Sequence, residues 1–143
     1  MKIFIICSVR GMDEDYRQSL EEYAQLLEQE GHKVYLPHRD TDQSATGLEI
    51  CTQNMTGLSE AEVVHVFYSE KSQGTHFDLG MAFALKKPLV VVGNQPYEVT
   101  SGKSFPRMID EWQEATKTRL MTKAELVAHN AAKIRNRIQG KGE

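Results

Sequence analysis

The sequence predicts an α/β fold in which one mostly parallel sheet carries helices on both faces. Short apolar runs rich in β-branched residues recur along the first two thirds of the chain, and segments with helical periodicity separate them. Strands that alternate with helices form right-handed βαβ units, and such units build a parallel sheet. We therefore expect a doubly wound sheet of the flavodoxin-like or Rossmann-like type. The length of 143 residues predicts a single domain, residues 1–143.

The predicted strands are the apolar runs themselves. The first run, residues 3–7, is continuously apolar, as expected of a strand buried on both faces of a sheet. Pro37 follows the second run and Pro88 precedes the fourth, and both positions favour strand boundaries. The predicted strands are residues 3–7, 33–36, 63–67 and 89–92.

Helical periodicity fills the intervals between these strands. From residue 13, apolar residues recur at spacings of three and four until Gly31, which we interpret as the end of the first helix. Thr122, with Glu125 three residues later, has the pattern of a capping box and predicts the start of a final helix. The predicted helices are residues 13–30, 47–59, 75–86, 105–115 and 122–139, with loops at 38–46 and 93–104 and an edge strand at 119–121.

Composition excludes several classes of function. Lys and Arg number 17 against 20 Asp and Glu, a net charge of −3 that gives no electrostatic footprint for a nucleic-acid polymer. No apolar segment has membrane-spanning length, and the opening apolar run is too short for a signal peptide, so a cytoplasmic protein is expected. Cys7 and Cys51 lie far apart without metal-ligand spacing, which predicts reduced thiols, no metal and no cofactor.

The most informative segment is residues 72–82, between the third and fourth predicted strands. It reads as a loop that enters a helix, at the edge of the sheet where α/β proteins bind ligands. Gly74 lets backbone approach a ligand closely, and the first turn of the helix offers unpaired N–H groups. Asp78 is expected to stay ionised there. It has two interpretations, a nucleophile toward a sugar carbon or an acceptor for a ligand hydroxyl.

Four segments, in this order and spacing, resemble the nucleoside 2-deoxyribosyltransferase family, and within it the 2'-deoxynucleoside 5'-phosphate N-hydrolases. They are Cys-Ser-Val-Arg-Gly at 7–11, Ala-Glu-Val-Val at 61–64, Ser-x-Gly-x-x-Phe-Asp-Leu-Gly-x-Ala at 72–82 and Lys-Pro at 87–88. The resemblance covers about residues 2–92. Residues 105–143 diverge from the family pattern and are predicted to be helical.

The resemblance implies exchange or hydrolysis of the bond between a deoxyribose and a base. In the family a glutamate attacks the sugar C1', the base leaves, and water or a second base resolves the intermediate. Asp78 falls at that glutamate, and Asn54 at an aspartate on the helix before the third strand, so these two are the predicted catalytic residues. Phe4 falls at a tyrosine on the first strand, where it would keep a ring against the pocket without the hydroxyl.

The resemblance also implies a substrate-binding set. Ser8, Arg10, Gly11 and Ser72 match positions that hold the 5'-phosphate in the hydrolases, although a surface ion pair of Arg10 and a turn cap by Ser8 are alternatives. His38 matches a histidine that lines the base pocket in some of them, or is simply solvated. With Gly74 and Phe4, the predicted substrate-binding residues are Ser8, Arg10, Gly11, Ser72, Gly74, Phe4 and His38.

Two functional hypotheses follow. The first is an enzyme that cleaves the N-glycosidic bond of a nucleoside or deoxynucleoside 5'-monophosphate, with His76 as a further candidate for proton transfer to the base. The second is a nucleotide-binding or sensing domain without turnover, because Phe4, Asn54 and Asp78 all depart from the family's residues. The resemblance also implies a homodimer or higher homo-oligomer in which a neighbour contributes to the site.

Overall fold

The computed structural model describes residues 1–93 and 103–117. Most of the secondary structure in these ranges lies close to the predicted positions. The elements in chain order are β1 (Lys2–Ile6), α1 (Glu14–Gln29), β2 (Lys33–Tyr35), α2 (Pro37–Asp40), α3 (Gly47–Glu60), β3 (Val63–Val66), α4 (Gln73–Ala84), β4 (Leu89–Val91) and α5 (Phe105–Thr116).

The strands form one four-stranded sheet in the order β2-β1-β3-β4, and every neighbouring pair is parallel. In register, Ile3 lies opposite both Val34 of β2 and Val63 of β3. The chain therefore winds outward from β1 to β2 and then returns to the other side of β1 through β3. This reversal creates a crevice at the carboxyl ends of β1 and β3, the usual ligand-binding position of such sheets.

Helices pack on both faces of the sheet, which confirms the predicted doubly wound α/β class. On one face α3, α4 and α5 contribute Leu58, Leu79 and Ile109 to a buried cluster with strand residues such as Phe4 and Val64. On the other face α1 packs Leu20 and Ala24 against Ile5 and Leu36. Because both faces are covered, β1 is apolar throughout its buried length, as the sequence pattern indicates.

The ends of the helices follow local sequence signals. Asp13 is the N-cap of α1, and its Oδ1 accepts from the Tyr16 N–H at 2.8 Å. Gly31, with φ of 93°, follows the C-cap of α1, where the N–H of His32 donates to the Leu27 carbonyl at 3.1 Å. Thr46 and Glu49 form a capping box that starts α3.

The prediction of one loop is partly wrong. Residues 38–46 were expected to be irregular, but α2 covers Pro37 to Asp40. Pro37 has a backbone dihedral suited to a first helical position, and the Asp40 carboxylate accepts from the Leu36 N–H at 2.8 Å. The helix predicted at 105–115 is confirmed as α5, whereas the edge strand at 119–121 and the helix at 122–139 lie outside the described residues. Within the described ranges, none of the helices is long and apolar enough to cross a membrane.

Candidate active site

A cleft of about 940 Å³ lies at the carboxyl ends of β1 and β3, within the size range of small-molecule sites. Its walls are the loop after β1, the loop after β2, the first half of α3, and the loop that leads into α4. The lining residues are Cys7, Ser8, Val9, Arg10, Pro37, Gln43, Gly47, Ile50, Cys51, Asn54, Ser69, Lys71, Ser72, Gln73, Gly74, Phe77 and Asp78. Asp78 and Arg10 therefore share one cleft.

Asp78 lies on the second turn of α4 and is buried. Burial raises the pKa of its carboxyl from 3.8 to about 6, and a hydrogen bond from Asn54 opposes that rise. The neighbouring Cys7 thiol has its pKa raised to about 12, first by burial and then by the charge of Asp78, so it stays neutral at pH 7. A pKa of about 6 leaves the ionised form of Asp78 in the majority at pH 7, as a poorly solvated carboxylate.

Asn54, the second predicted catalytic residue, lies on α3 directly beside Asp78. Its Nδ2 donates to Asp78 Oδ2 at 3.4 Å, and its Oδ1 accepts from the Thr41 hydroxyl at 2.7 Å. An amide cannot exchange a proton as a carboxyl group does, so its contribution here is a hydrogen bond to the charged form of Asp78.

The cleft also carries positive charge. Arg10 and Lys71 both line it, and both side chains are exposed and make no ion pair within the described ranges. The start of α4 lines the same cleft, and there the N–H groups of Gln73 and Gly74 have no partner inside the helix. Two cations and a helix N-terminus that converge on one cleft can bind an anion.

Ser72 is the N-cap of α4, and its hydroxyl is only partly engaged. Its Oγ accepts from the Thr75 N–H at 3.1 Å and from the Thr75 hydroxyl at 2.9 Å. These bonds use the two acceptor positions of Oγ and leave its own proton to donate. At Gly74 an added Cβ would meet nothing nearer than Ser72 Oγ at 4.0 Å, so packing within the protein does not require glycine there.

Three predicted substrate-binding residues do not line the cleft. Gly11 lies in the turn after Arg10 with φ of 73°, a conformation that favours glycine. Phe4 is fully buried in the core and stacks on Tyr35 with ring centroids 4.9 Å apart. His38 points toward α1, where its Nε2 lies 3.1 Å from Glu21 Oε1.

His76 faces away from Asp78 and lines a second cavity of about 600 Å³. Its Nδ1 lies 2.7 Å from the Ser72 carbonyl, which can only accept, so Nδ1 carries the proton. In the neutral ring Nε2 then accepts from the Tyr68 hydroxyl at 2.9 Å. This pairing makes His76 a structural residue of the α4 N-terminus rather than a proton donor in the cleft.

Sequence reasoning missed Lys71 and Thr41. Lys71 directly precedes Ser72 in the loop after β3, so its place at the carboxyl edge of the sheet was available from the predicted strand order. Thr41 had no comparable signal, because it reaches Asn54 only through the unpredicted turn of α2.

Fold and cleft together define a class, the parallel α/β proteins that bind a small ligand beside a buried carboxylate at the edge of the sheet. A family model described as nucleoside 2-deoxyribosyltransferase matches residues 4–136. The chain belongs to the nucleoside 2-deoxyribosyltransferase family. A comparison with curated proteins gave no match.

Two solved structures are similar in fold. The 2-deoxyribosyltransferase from Bacillus psychrosaccharolyticus has a TM-score of 0.62 at 16% identity, with 88% of this chain and 96% of that chain covered. The CMP N-glycosidase BcmB of Clostridium botulinum has a TM-score of 0.51 at 18% identity, with 64% of this chain and 67% of that chain covered. At such identities the likeness extends to the fold alone.

Proposed function

We propose that this protein cleaves the N-glycosidic bond of a nucleoside or deoxynucleoside 5'-monophosphate, by hydrolysis or by transfer to a second base. The observation that carries the proposal is the placement of a buried carboxylate, Asp78, in the same cleft as the basic group of Arg10, Lys71 and the α4 N-terminus. Family membership supports glycosyl chemistry on a nucleoside, and BcmB, similar in fold, is described as an N-glycosidase of CMP.

In the proposed mechanism, the Asp78 carboxylate attacks C1' of the sugar. The bond from C1' to the base nitrogen breaks, its electron pair leaves with the base, and a glycosyl ester of Asp78 forms. Water or another base then attacks C1' and releases the carboxylate. Because burial removes water from Asp78, the nucleophile is less stabilised before the reaction than an exposed aspartate would be.

The basic group of the cleft is the proposed phosphate site. Arg10 would form charge-assisted hydrogen bonds with the phosphate oxygens, and Lys71 would add a second positive charge. The free Ser72 proton and the N–H groups of Gln73 and Gly74 would complete the contacts. A phosphate held there fixes the sugar relative to Asp78, and such positioning supplies much of the rate gain in group transfer.

One observation favours the alternative, a nucleotide-binding or sensing domain without turnover. Among the described residues, Asp78 is the only Asp or Glu that lines the cleft, since Asn54 replaces the second carboxyl. A leaving base then lacks a carboxylic acid to protonate it within this part of the chain. Turnover by one chain alone is therefore harder to explain than binding.

A second copy of the chain is the proposed source of missing groups. Phe77 lines the cleft and is 60% exposed, and Leu48, next to the lining residue Gly47, is 79% exposed. Met55, 46% exposed, lies two turns further along α3. We propose that a neighbouring copy covers this apolar surface in a homodimer or larger homo-oligomer. Sedimentation velocity should show the oligomer and its weakening in Leu48→Glu, but not in Leu26→Glu, a leucine on α1 that is 60% exposed. A monomer at all concentrations would remove this proposal.

A substrate panel tests the function. Purified protein is incubated with ribonucleoside and deoxyribonucleoside 5'-monophosphates, and free base is measured by chromatography. Asp78→Ala should lower the rate by roughly 10³-fold or more, because it removes the nucleophile. Asp15→Ala, on the exposed side of α1, serves as the matched control. Base release that persists in Asp78→Ala contradicts the mechanism, whereas calorimetric binding without any base release favours the sensing domain.

A further inference from the structure

A chain of hydrogen bonds connects the edge of the sheet to Asp78. The Tyr35 hydroxyl lies 2.7 Å from Thr41 Oγ1, and Thr41 Oγ1 lies 2.7 Å from Asn54 Oδ1. Asn54 Nδ2 continues the chain to Asp78 Oδ2 at 3.4 Å. Thr41, Asn54 and Asp78 are only 4%, 8% and 8% exposed, so water competes little for these bonds.

The number of hydroxyl protons fixes the direction of donation along the hydrogen-bond chain. Thr41 has one hydroxyl proton, and it donates that proton to Asn54 Oδ1. The Tyr35 hydroxyl then donates to Thr41 Oγ1 at 2.7 Å, which is much nearer than its other acceptor, the Asp40 carbonyl at 3.5 Å. The Asn54 amide is held with its NH₂ group toward Asp78. The reversed amide would place two acceptor oxygens against each other whenever Asp78 is ionised.

Packing holds the Tyr35 end of this hydrogen-bond chain firmly. The Tyr35 ring stacks on Phe4 at an interplanar angle of 10°, and a Cβ at Gly57 would lie 3.0 Å from both rings. The Thr41 N–H donates to the Pro37 carbonyl at 3.0 Å, which fixes the backbone that carries the hydroxyl. Tyr35 and Thr41 therefore have little freedom to turn away from Asn54.

We propose that Tyr35 and Thr41 are positioning residues for Asp78: they lock the Asn54 amide so that it donates to the carboxylate, which keeps Asp78 ionised and oriented. Without the lock, the amide can rotate and present Oδ1 to a protonated Asp78, so the neutral acid also gains a partner. The role of the ionised form as a nucleophile rests on the proposed function. The effect on the ionisation of Asp78 does not depend on that function.

Other groups around Asp78 are unchanged by the proposed test. The Cys7 thiol at the end of β1 is neutral, and Asn54 on α3 carries no charge. Arg10 and Lys71 line the same cleft and are present in every variant. If removal of the Tyr35 or Thr41 hydroxyl shifts the titration of Asp78, the shift therefore comes from the changed orientation of the Asn54 amide.

The decisive measurement is the titration of the Asp78 carboxyl by ¹³C NMR, with Asp78→Asn used for assignment. Thr41→Val removes the hydroxyl with little change of shape, and Tyr35→Phe removes the first donor while it keeps the stacked ring. Each should raise the pKa of Asp78 by about 0.5–1 unit, the equivalent of one neutral hydrogen bond. Thr41→Ser should restore the original titration. Thr52→Val, an exposed α3 threonine whose hydroxyl donates to Leu48, is the control.

A pKa that stays unchanged in every folded variant would overturn the proposal, with folding checked by circular dichroism. If Thr41→Val does not fold, Tyr35→Phe decides alone. In an active enzyme, both variants should lower kcat at pH 6 with little change in KM, and the acid limb of the kcat profile should move upward with the NMR pKa. Absence of turnover in the wild type contradicts the proposed function only. The titration still decides whether Tyr35 and Thr41 hold the Asn54 amide in place.

Discussion

Around Asp78 the polar side chains are buried and bonded to one another, whereas the basic group of the same cleft, Arg10 and Lys71, is exposed and, within the described ranges, makes no ion pair. Thr41 donates to Asn54, and Asn54 donates to Asp78. We call these three residues the acid group. The acid group is held by bonds within the protein, and the basic group is in contact with solvent.

The acid group and the basic group also differ in their effect on stability. A buried carboxylate destabilises the folded state when it is ionised, because the low dielectric around it replaces water. Exposed cations have almost no such cost, since they keep their hydration. The difference teaches that the acid group lowers the stability of the fold once Asp78 is ionised, whereas the basic group does not.

Replacing Asp78 should give the largest effect on stability. The folded pKa of about 6 exceeds the ordinary 3.8, so the favourable contribution of the proton is present below about pH 4 and is lost as pH rises through 6. Asp78→Asn cannot ionise, and it should raise the free energy of unfolding by about 1–3 kcal/mol at pH 8. Urea denaturation at several pH values measures the difference, which should nearly vanish at pH 4.

Asp15→Asn on the exposed side of α1 is the matched control, and its stability should stay near that of the wild type at both pH values. An Asp78→Asn variant with no gain at pH 8 would mean that the carboxylate is solvated or paired in solution. The contrast between the acid group and the basic group would then fail.

The fold was predictable from the sequence wherever a pattern was long or strongly marked. The continuous apolar run of β1 and the periodicity of α1 between Asp13 and Gly31 are signals of this kind. The short helix α2 was not predictable, because four residues are too few to show a period. Its geometry depends on one proline and one side-chain bond from Asp40.

The site was predictable where position along a strand decides it. Arg10 and Ser72 follow the carboxyl ends of β1 and β3, so a parallel sheet brings both to one edge. The direction in which Phe4 and His38 point depends on packing against Tyr35 and α1, which sequence spacing does not specify. Thr41 contacts Asn54 across 13 residues of chain, and only the folded structure reveals that bond.

Removal of Arg10 should give a smaller effect and sharpens the same contrast, because it tests the basic group of the cleft. Arg10→Ala should raise the Kd of a nucleoside 5'-monophosphate by about 10- to 50-fold, the loss expected for a hydrogen bond to a charged group. The corresponding nucleoside, which lacks the phosphate, should bind the variant and the wild type equally. Calorimetry at low and high salt measures both ligands, and salt should weaken only the monophosphate.

Lys33→Ala supplies the control for net charge. Lys33 is the first residue of β2, so it lies at the amino ends of the strands, whereas the cleft lies at their carboxyl ends. It should leave the monophosphate affinity unchanged, since an exposed charge at that distance is screened by salt. Equal losses for nucleoside and monophosphate in Arg10→Ala would place the guanidinium on the base or sugar instead. The basic group would then bind a part of the ligand other than its phosphate, and the proposed phosphate site would be wrong.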